Sequence, residues 1–112
     1  MSRQNGDTRE DSAKMRKNVH GARRIQQRRF KNDSIHSNAE MKNKQIKEYC
    51  PLAPEVKRLL LEGARKFQLS ARSYYKMIKI ARTIADLDFS SEIKIAHMAE
   101  ALQYRTKTKA QT

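Results

Sequence analysis

The apolar residues of the chain recur at steps of three and four positions, which is the spacing of one face of an α-helix. The pattern is most regular in LSARSYYKMIKIARTIADL, residues 69–87. Ser70 is a favourable N-cap residue, and we expect a helix of more than four turns to follow it. The inward stripe of this helix consists of Ala71, Tyr74, Met77, Ile78, Ala81, Ile84 and Ala85.

Four further segments show helical spacing, and they predict helices over about 12–30, 39–49, 54–67 and 95–104. Asn38 is expected to cap the second of these, and Pro54 suits the first position of the third because its missing N–H has no intrahelical partner there. In chain order, the inward residues are expected to be Met15, Val19, Ala22 and Ile25 or Gln26, then Met41, Gln45 or Ile46 and Tyr49, then Val56, Leu59, Leu60, Ala64 and Phe67, and finally Ile95, Met98, Ala101 and Leu102.

No segment alternates with period two, so the sequence predicts an all-α fold, a small bundle of four to five helices. Residues 1–11 and 106–112 lack periodic apolar residues and are predicted to be disordered tails around a helical domain at 12–105. The segment KNDSIHSN, 31–38, is predicted to be a loop. Tyr74, Ile78, Ala81 and Leu102 are assigned to the core.

Length and charge narrow the class of protein. The 112 residues suffice for one small domain with a modest core. The net charge is +13, and residues 1–32 hold ten Lys or Arg against three acidic residues. Cys50 is the single cysteine, no apolar run approaches the roughly 20 residues of a bilayer span, and the N-terminus lacks a signal-peptide hydrophobic region. These features indicate a soluble, cytoplasmic chain without a disulfide or a membrane partner.

The sequence offers no catalytic machinery of its own. The three glycines do not form the Gly-x4-Gly-Lys-Ser/Thr pattern that cradles phosphates, so we expect no nucleotide to be bound in that manner. His20, His36 and His97 lie too far apart for metal-ligand spacing, and solvated or core positions are the preferred interpretation. Cys50 is interpreted as a buried thiol at a helix end, and Asp86 and Asp88 as helix-end residues rather than an acid–base pair.

Basic residues are concentrated in HGARRIQQRRFK, residues 20–31. Four arginines within seven positions could engage nucleic-acid phosphates and would make binding depend steeply on salt. A solvated helix face explains the same pattern, because a basic helix needs no ligand to be stable. Both interpretations stay open at this point.

Arg72 lies in the first turn of the helix that Ser70 caps. The free backbone N–H groups and the helix dipole favour an anion at that place, so a cation there is slightly unfavourable unless an anion is bound. An arginine adds a permanently charged, bidentate fork that suits phosphate. This local conflict marks Arg72 as a candidate anion-binding residue.

Several motifs together resemble one known family. LSARSYYKMIKIARTIADL, followed by Ile93 and the run His97 to Arg105, resembles the C-terminal domain of the magnesium-chelatase-like AAA+ ATPases. Three upstream motifs keep the order and spacing of the family. They are the basic helix with Val19, Ala22, Arg23, Gln26, Arg29 and Phe30, the segment with Asn38, Ala39 and Met41, and the pair Leu59 and Leu60. The resemblance covers about residues 12–105.

The resemblance implies a helical lid that packs beside an ATPase core. It implies that Arg72, in the Leu-Ser-x-Arg motif, is a sensor-2 arginine that reaches the γ-phosphate of ATP at a subunit boundary. ATP and Mg²⁺ would be bound by the full assembly and not by this chain alone. The implied partners are the AAA+ core of the same polypeptide, neighbouring subunits of a hexamer and, for the branch associated with DNA branch migration, DNA. Arg23 and Arg29 are candidates for subunit or DNA contact, and no metal ligand is assigned.

The chain departs from the family pattern at Asn18, where an arginine is usual, and at Ala53, where a capping acidic residue is usual. The upstream ATPase core with its Walker motifs is outside this sequence. The alternative function is a free-standing basic helical module that binds DNA, for which the 23–29 cluster rather than Arg72 would carry the activity.

Overall fold

The computed structural model describes the backbone of residues 3–111 and the side chains of residues 14–104. These residues form five α-helices and one 3₁₀ turn, with no strand among them, which confirms the predicted all-α bundle. The helices are α1 (Arg3–Arg29), α2 (Asn43–Tyr49), α3 (Pro54–Lys66), α4 (Ala71–Leu87) and α5 (Ile95–Gln111), and the 3₁₀ turn is Asn38–Glu40. None of these helices combines the length and apolarity required to cross a bilayer.

Helix α4 is the centre of the bundle, and every other element packs against it. Its inward residues Met77, Ala81 and Ala85 are at most 1% exposed. They meet Leu60 of α3 and Met98 of α5 in one core, and the predicted core residues Ile78 and Leu102 are buried there as well. Tyr74 is half-buried against this core, whereas Ala71, which the spacing also placed inward, is exposed. The spacing of apolar residues therefore predicted the buried face of α4 from its second turn onward.

Helix α1 is longer than predicted and less buried at its start. Its backbone is helical from Arg3, where the sequence predicted a disordered tail up to residue 11, and the first two residues lie outside the described part. The spacing of apolar residues did not predict this extension, because a helix can form its backbone hydrogen bonds without an apolar stripe. Met15 and Val19 are exposed, contrary to prediction, because the apolar stripe is covered only from Ala22 onward.

The predicted helix over 39–49 is split in two. A 3₁₀ turn covers Asn38–Glu40, and α2 starts only at Asn43. Asn38 is therefore not the cap of a long helix; it is 1% exposed and its side chain points into the bundle. Met41 and Ile46 are buried and Tyr49 is half-buried, so the inward face of this segment is as predicted. The ring of Tyr49 packs edge-on against Phe30, with ring centroids 5.1 Å apart.

The last helix, α5, also exceeds its predicted bounds. Its backbone stays helical to Gln111, where the sequence predicted a disordered tail from residue 106, and Thr112 lies outside the described part. Met98, Ala101 and Leu102 are buried as predicted. Ile95 is 50% exposed, because it is the first residue of the helix and Ile93, just before it, fills the core at this end. The division of the chain into tails and one domain stays a prediction.

Helices α3 and α4 both end in a left-handed residue that is not glycine. Gln68, after α3, has φ 51°, and Phe89, after α4, has φ 54°. In each case the next N–H turns back to the third-last helical carbonyl: Leu69 N–H to Ala64 O at 2.9 Å, and Ser90 N–H to Ala85 O at 2.8 Å. These are Schellman caps, and the first of them turns the chain directly into the start of α4.

Candidate anion-binding site at the start of helix α4

The start of α4 is held by the side chain of Ser70. Ser70 Oγ accepts a hydrogen bond from the backbone N–H of Ser73 at 3.1 Å, which confirms Ser70 as the N-cap. The cap uses one of the four N–H groups that a helix start leaves without an intrahelical partner. The position of Arg72 in the first turn is therefore fixed by a local sequence signal.

The guanidinium of Arg72 is exposed. Among the described side chains, 14–104, none forms a hydrogen bond or an ion pair with Arg72, and the first turn of α4 contains no acidic residue. The positive end of the helix dipole and the charge of Arg72 thus lie together without a counter-charge from this part of the chain. The resulting local potential favours an anion.

Arg72 lies on the rim of a groove of about 660 Å³ between α4 and the segment that runs from the 3₁₀ turn into α2. The apolar wall of the groove includes Met41, Tyr75 and Ile80. Lys76 and Lys79 line it as well, one and two turns after Arg72 on the same face of α4. No Asp or Glu lines this groove, so its lining is cationic and apolar.

Lys79 has a structural role in the groove. Its Nζ donates hydrogen bonds to the backbone carbonyls of Ala39 at 3.0 Å and Met41 at 3.2 Å. These two bonds tie the 3₁₀ turn and the residue that follows it to the middle of α4. Of the three cations that line the groove, Arg72 and Lys76 are the exposed ones available to a ligand.

At the other end of α4, a buried cluster surrounds Asp86. The guanidinium of Arg29 binds its carboxylate in a bidentate manner, with N–O distances of 2.8 and 2.7 Å. Arg82 Nε donates to the same carboxylate at 3.1 Å, and the Asn38 amide donates to it at 2.8 Å. Burial lowers the pKa of the Arg82 guanidinium, and Asp86 opposes that shift. The cluster fastens α1 and the 3₁₀ turn to α4.

The structure separates the predicted site residues from one another. Arg29 is engaged by Asp86, about 21 Å along the axis of α4 from Arg72, at 1.5 Å per helical residue. Arg23 is exposed on α1. Arg29 therefore has a structural role as a helix clamp, and its contact with DNA or a neighbouring subunit stays a prediction, as does that of Arg23.

The candidate acid and histidine residues serve the fold. Asp86 and Asp88 lie at the end of α4 with separate partners, as predicted. His97 is buried; its Nδ1 accepts the backbone N–H of Lys94 at 2.9 Å, so its proton is on Nε2, which lies 3.0 Å from Asp88 Oδ2. This geometry caps the start of α5 and confirms that His97 is a satisfied core histidine. Burial raises the pKa of the Cys50 thiol to about 11, which fits an inert thiol at the end of α2.

The sequence analysis assigned no role to Lys76 and Lys79 in the groove or to Arg82 in the cluster, and it gave Asn38 and Asp86 other roles. Lys76 and Lys79 stand four and seven positions after Arg72, and this helical spacing could have revealed a cationic face. Asn38, Arg82 and Asp86 meet across separations of up to 48 residues. Arg82 and Asp86 are four positions apart on α4, a spacing that favours a side-chain pair, but no local pattern predicts that Asn38 joins them.

The whole bundle matches one protein family. The family described as magnesium chelatase, subunit ChlI C-terminal, matches residues 9–105, a range that includes the groove, the Asp86 cluster and parts of all five helices. The chain belongs to this family. The resemblance carried by the Leu-Ser-x-Arg motif and the basic helix is thereby confirmed.

Two kinds of named relatives share this domain. The competence protein ComM of Haemophilus influenzae is 38% identical over 100 residues, which cover 89% of this chain and 19% of the relative. The YifB proteins, described as uncharacterized, are 35% identical over 96 residues in Salmonella typhimurium and 37% identical over 97 residues in Escherichia coli. The aligned part covers 86% of this chain and 18% of each YifB protein.

This magnesium-chelatase C-terminal domain thus spans about a fifth of the length of the curated relatives that it matches. No solved structure matches the chain at the same significance. Membership of the family follows from the sequence matches, and the fold described above follows from the coordinates of the chain itself.

Proposed function

We propose that this chain is the C-terminal helical lid of a ComM-like, magnesium-chelatase-related AAA+ ATPase and that Arg72 is its sensor-2 arginine. In this proposal the AAA+ core binds ATP, and Arg72 contacts the γ-phosphate at a boundary between subunits. The chain is no enzyme by itself, and it completes the site of an ATPase.

The observation that carries the proposal is the unpaired charge of Arg72. Its guanidinium is exposed in the first turn of a capped helix, and no described acidic side chain neutralises it. A planar guanidinium that is permanently charged binds phosphate oxygens through two parallel hydrogen bonds. Such a charged hydrogen bond contributes about 1.5–3 kcal/mol and is lost when the γ-phosphate leaves.

The groove fits a phosphate better than a metal ion. Its lining contains the cations Arg72, Lys76 and Lys79 and no carboxylate. Mg²⁺ prefers carboxylate and phosphate oxygens, so the ion that accompanies ATP would be held by the core and by the nucleotide. The contribution of this chain is a positive charge placed against the phosphate chain of ATP.

The rigid attachment of α4 suits a role in coupling. Lys79 and Asp86 fasten the 3₁₀ turn to the helix that carries Arg72, and Asp86 also fastens α1 to it through Arg29. A displacement of Arg72 on loss of the γ-phosphate would therefore move the bundle as one body. In the proposed assembly this motion is transmitted around a hexameric ring that translocates DNA or migrates DNA branches.

The test is Arg72→Ala in the polypeptide that joins this domain to its ATPase core. Arginines that act on a transferring phosphoryl group contribute about 10³–10⁵ in rate in comparable NTPases, so kcat for ATP hydrolysis should fall by at least about 10³-fold. Arg72→Lys keeps the charge but loses the bidentate fork, and it should recover only part of the rate.

Arg65→Ala is the matched control, since Arg65 is an exposed arginine on α3, away from the groove. The control should hydrolyse ATP at the parental rate. Both variants should assemble as the parent does in light scattering. Turnover that is unchanged by Arg72→Ala in an intact ring would refute the sensor role.

A further inference from the structure

Helix α1 exposes a row of three cations on the side opposite the core. Lys17, Arg24 and Arg28 are spaced by seven and four positions, and all three are exposed. At 100° per residue they fall within about 40° of one another on the helix, roughly opposite the buried Ala22. We call Lys17, Arg24 and Arg28 the basic row.

The charge of the basic row is not balanced by acidic residues in the neighbouring sequence. No acidic residue occurs from Ser12 to Asn32, a range that holds eight Lys or Arg. Arg24 and Arg28 are four positions apart, and like charges at this spacing destabilise a helix by a few tenths of a kcal/mol. On α3, by contrast, Glu62 lies four positions from Arg58 and three from Arg65. The exposed face of α3 therefore carries charges of both signs, whereas that of α1 from Ser12 onward carries only positive ones.

The structure also presents the basic row in a fixed orientation. Arg29, on the inner side of α1, is clamped by Asp86 and by the side chain of Asn38 at 2.8 Å. Ala22 is 4% exposed where α1 packs on the bundle. Because the inner side is fastened, the outer side cannot turn inward to find a partner. A fixed row of charges loses less conformational entropy on binding than a mobile tail.

We propose that the basic row binds the phosphates of duplex nucleic acid without regard to base sequence. The row is about 17 Å long, and a duplex of that length carries about ten phosphates. No Phe, Tyr or Trp occurs from Ser12 to Arg29, and single-stranded nucleic acid is typically held by bases stacked on such rings. Binding by the basic row involves α1 alone and does not require Arg72 to contact ATP.

The experiment is a titration of the full 112-residue chain with a fluorescently labelled duplex DNA of random sequence, followed by anisotropy at several salt concentrations. The variant replaces Lys17, Arg24 and Arg28 together by Gln. Each lost phosphate contact lowers the slope of log K against log salt by about 0.9, so the slope should be about 2.7 smaller in magnitude for this variant. Circular dichroism checks that the variant keeps the helical content of the parent.

A second triple variant controls for net charge. Lys57, Arg58 and Arg65 are exposed on α3, and their joint replacement by Gln removes the same charge. This control and Arg72→Ala should bind duplex as the parent does, which keeps the inference separate from the proposed ATP contact. An equal loss in both triple variants, or no duplex binding by the parent, would overturn the proposal. If the variant of the basic row bound duplex DNA as the parent does but no longer bound phosphatidylserine vesicles, the row would be assigned to a lipid surface instead.

Discussion

Arg29, the last residue of α1, and Asp86, in the last turn of α4, form a bidentate ion pair with N–O distances of 2.8 and 2.7 Å. The Asp86 side chain is fully buried and that of Arg29 is 13% exposed. Each carboxylate oxygen accepts one further hydrogen bond, from Arg82 on one oxygen and from Asn38 on the other. One carboxylate therefore joins the basic helix, the 3₁₀ turn and the helix of the proposed phosphate contact.

Asp86→Ala should strongly destabilise the bundle. The substitution leaves the buried guanidinium of Arg82 without its counter-charge and releases Arg29 from α4. Breaking a buried pair by removing one partner costs about 3–5 kcal/mol in free energy of unfolding. Urea denaturation followed by circular dichroism measures this loss.

Asp88→Ala is the matched control for this prediction. Asp88 is two residues away, but its side chain is 71% exposed and pairs with the His97 ring. Its removal should cost far less than that of Asp86. Equal destabilisation by the two substitutions would show that the buried cluster does not hold α1 in place.

This cluster marks the limit of what the sequence could predict. The positions of the helices follow from local signals: the spacing of apolar residues, the Ser70 cap and Pro54 at the first helical position. The partners of Asp86 lie up to 57 positions away and are polar, so periodicity gives no sign of them. For that reason Asn38 was predicted to be a cap and Arg29 a surface contact.

The candidate site could be predicted from the sequence only in part, because some of it depends on local signals and some on contacts between distant segments. Arg72 is exposed at a helix start because Ser70 and the following residues define that start locally. The groove beside it depends on how the 3₁₀ turn packs on α4, through Lys79 and the carbonyls of Ala39 and Met41. No local pattern in the sequence predicts how the 3₁₀ turn packs on α4.

The Cys50 thiol should resist alkylation in the folded chain. Burial raises its pKa from 9.0 to about 11, so at pH 9.0 about half of an unfolded thiol but only roughly 1% of the folded one is thiolate. Because the thiolate is the nucleophile, iodoacetamide should react roughly 50-fold more slowly with the folded chain than with the chain in guanidinium chloride. Mass spectrometry of timed samples measures both rates.

The same pKa shift has a consequence for alkaline stability. The folded state keeps a proton that the unfolded state releases, so Cys50 has no effect below its ordinary pKa of 9.0 and destabilises the fold as the pH rises towards 11. Cys50→Ala should therefore lose less stability over this pH range than the parent. Identical alkaline profiles for the two chains would contradict the assigned burial of the thiol.

Gln68→Gly should stabilise the protein. Gln68 occupies the left-handed region at φ 51°, where a side chain with a Cβ is strained and glycine is not. Relief of this strain stabilises the fold, and the greater freedom of glycine in the unfolded chain offsets part of that gain. The net result should be a free energy of unfolding that is higher by about 0.5–1 kcal/mol. Gln68→Ala keeps the Cβ and should give no gain in the same urea titration, so matching gains for both variants would argue against backbone strain.

Gly63 of α3 and Gly21 of α1 should respond to alanine in opposite directions. A Cβ on the buried Gly63 of α3 would lie 2.8 and 2.9 Å from the two Cδ atoms of Leu102, which is only 6% exposed and has little room to move. Overpacking of this kind costs about 1–3 kcal/mol, more than the roughly 1 kcal/mol that alanine gains in helix propensity. Gly63→Ala should therefore lower the free energy of unfolding.

At Gly21 of α1 the obstacle is the outer edge of the Phe89 ring, which is 55% exposed and can turn towards solvent. The propensity gain should then prevail, so Gly21→Ala should raise the free energy of unfolding by up to about 1 kcal/mol. Urea titrations of the two single variants decide the signs. If the close approach to Leu102 is the cause at Gly63, the loss should shrink when Gly63→Ala is combined with Leu102→Val, and additive effects would refute that cause.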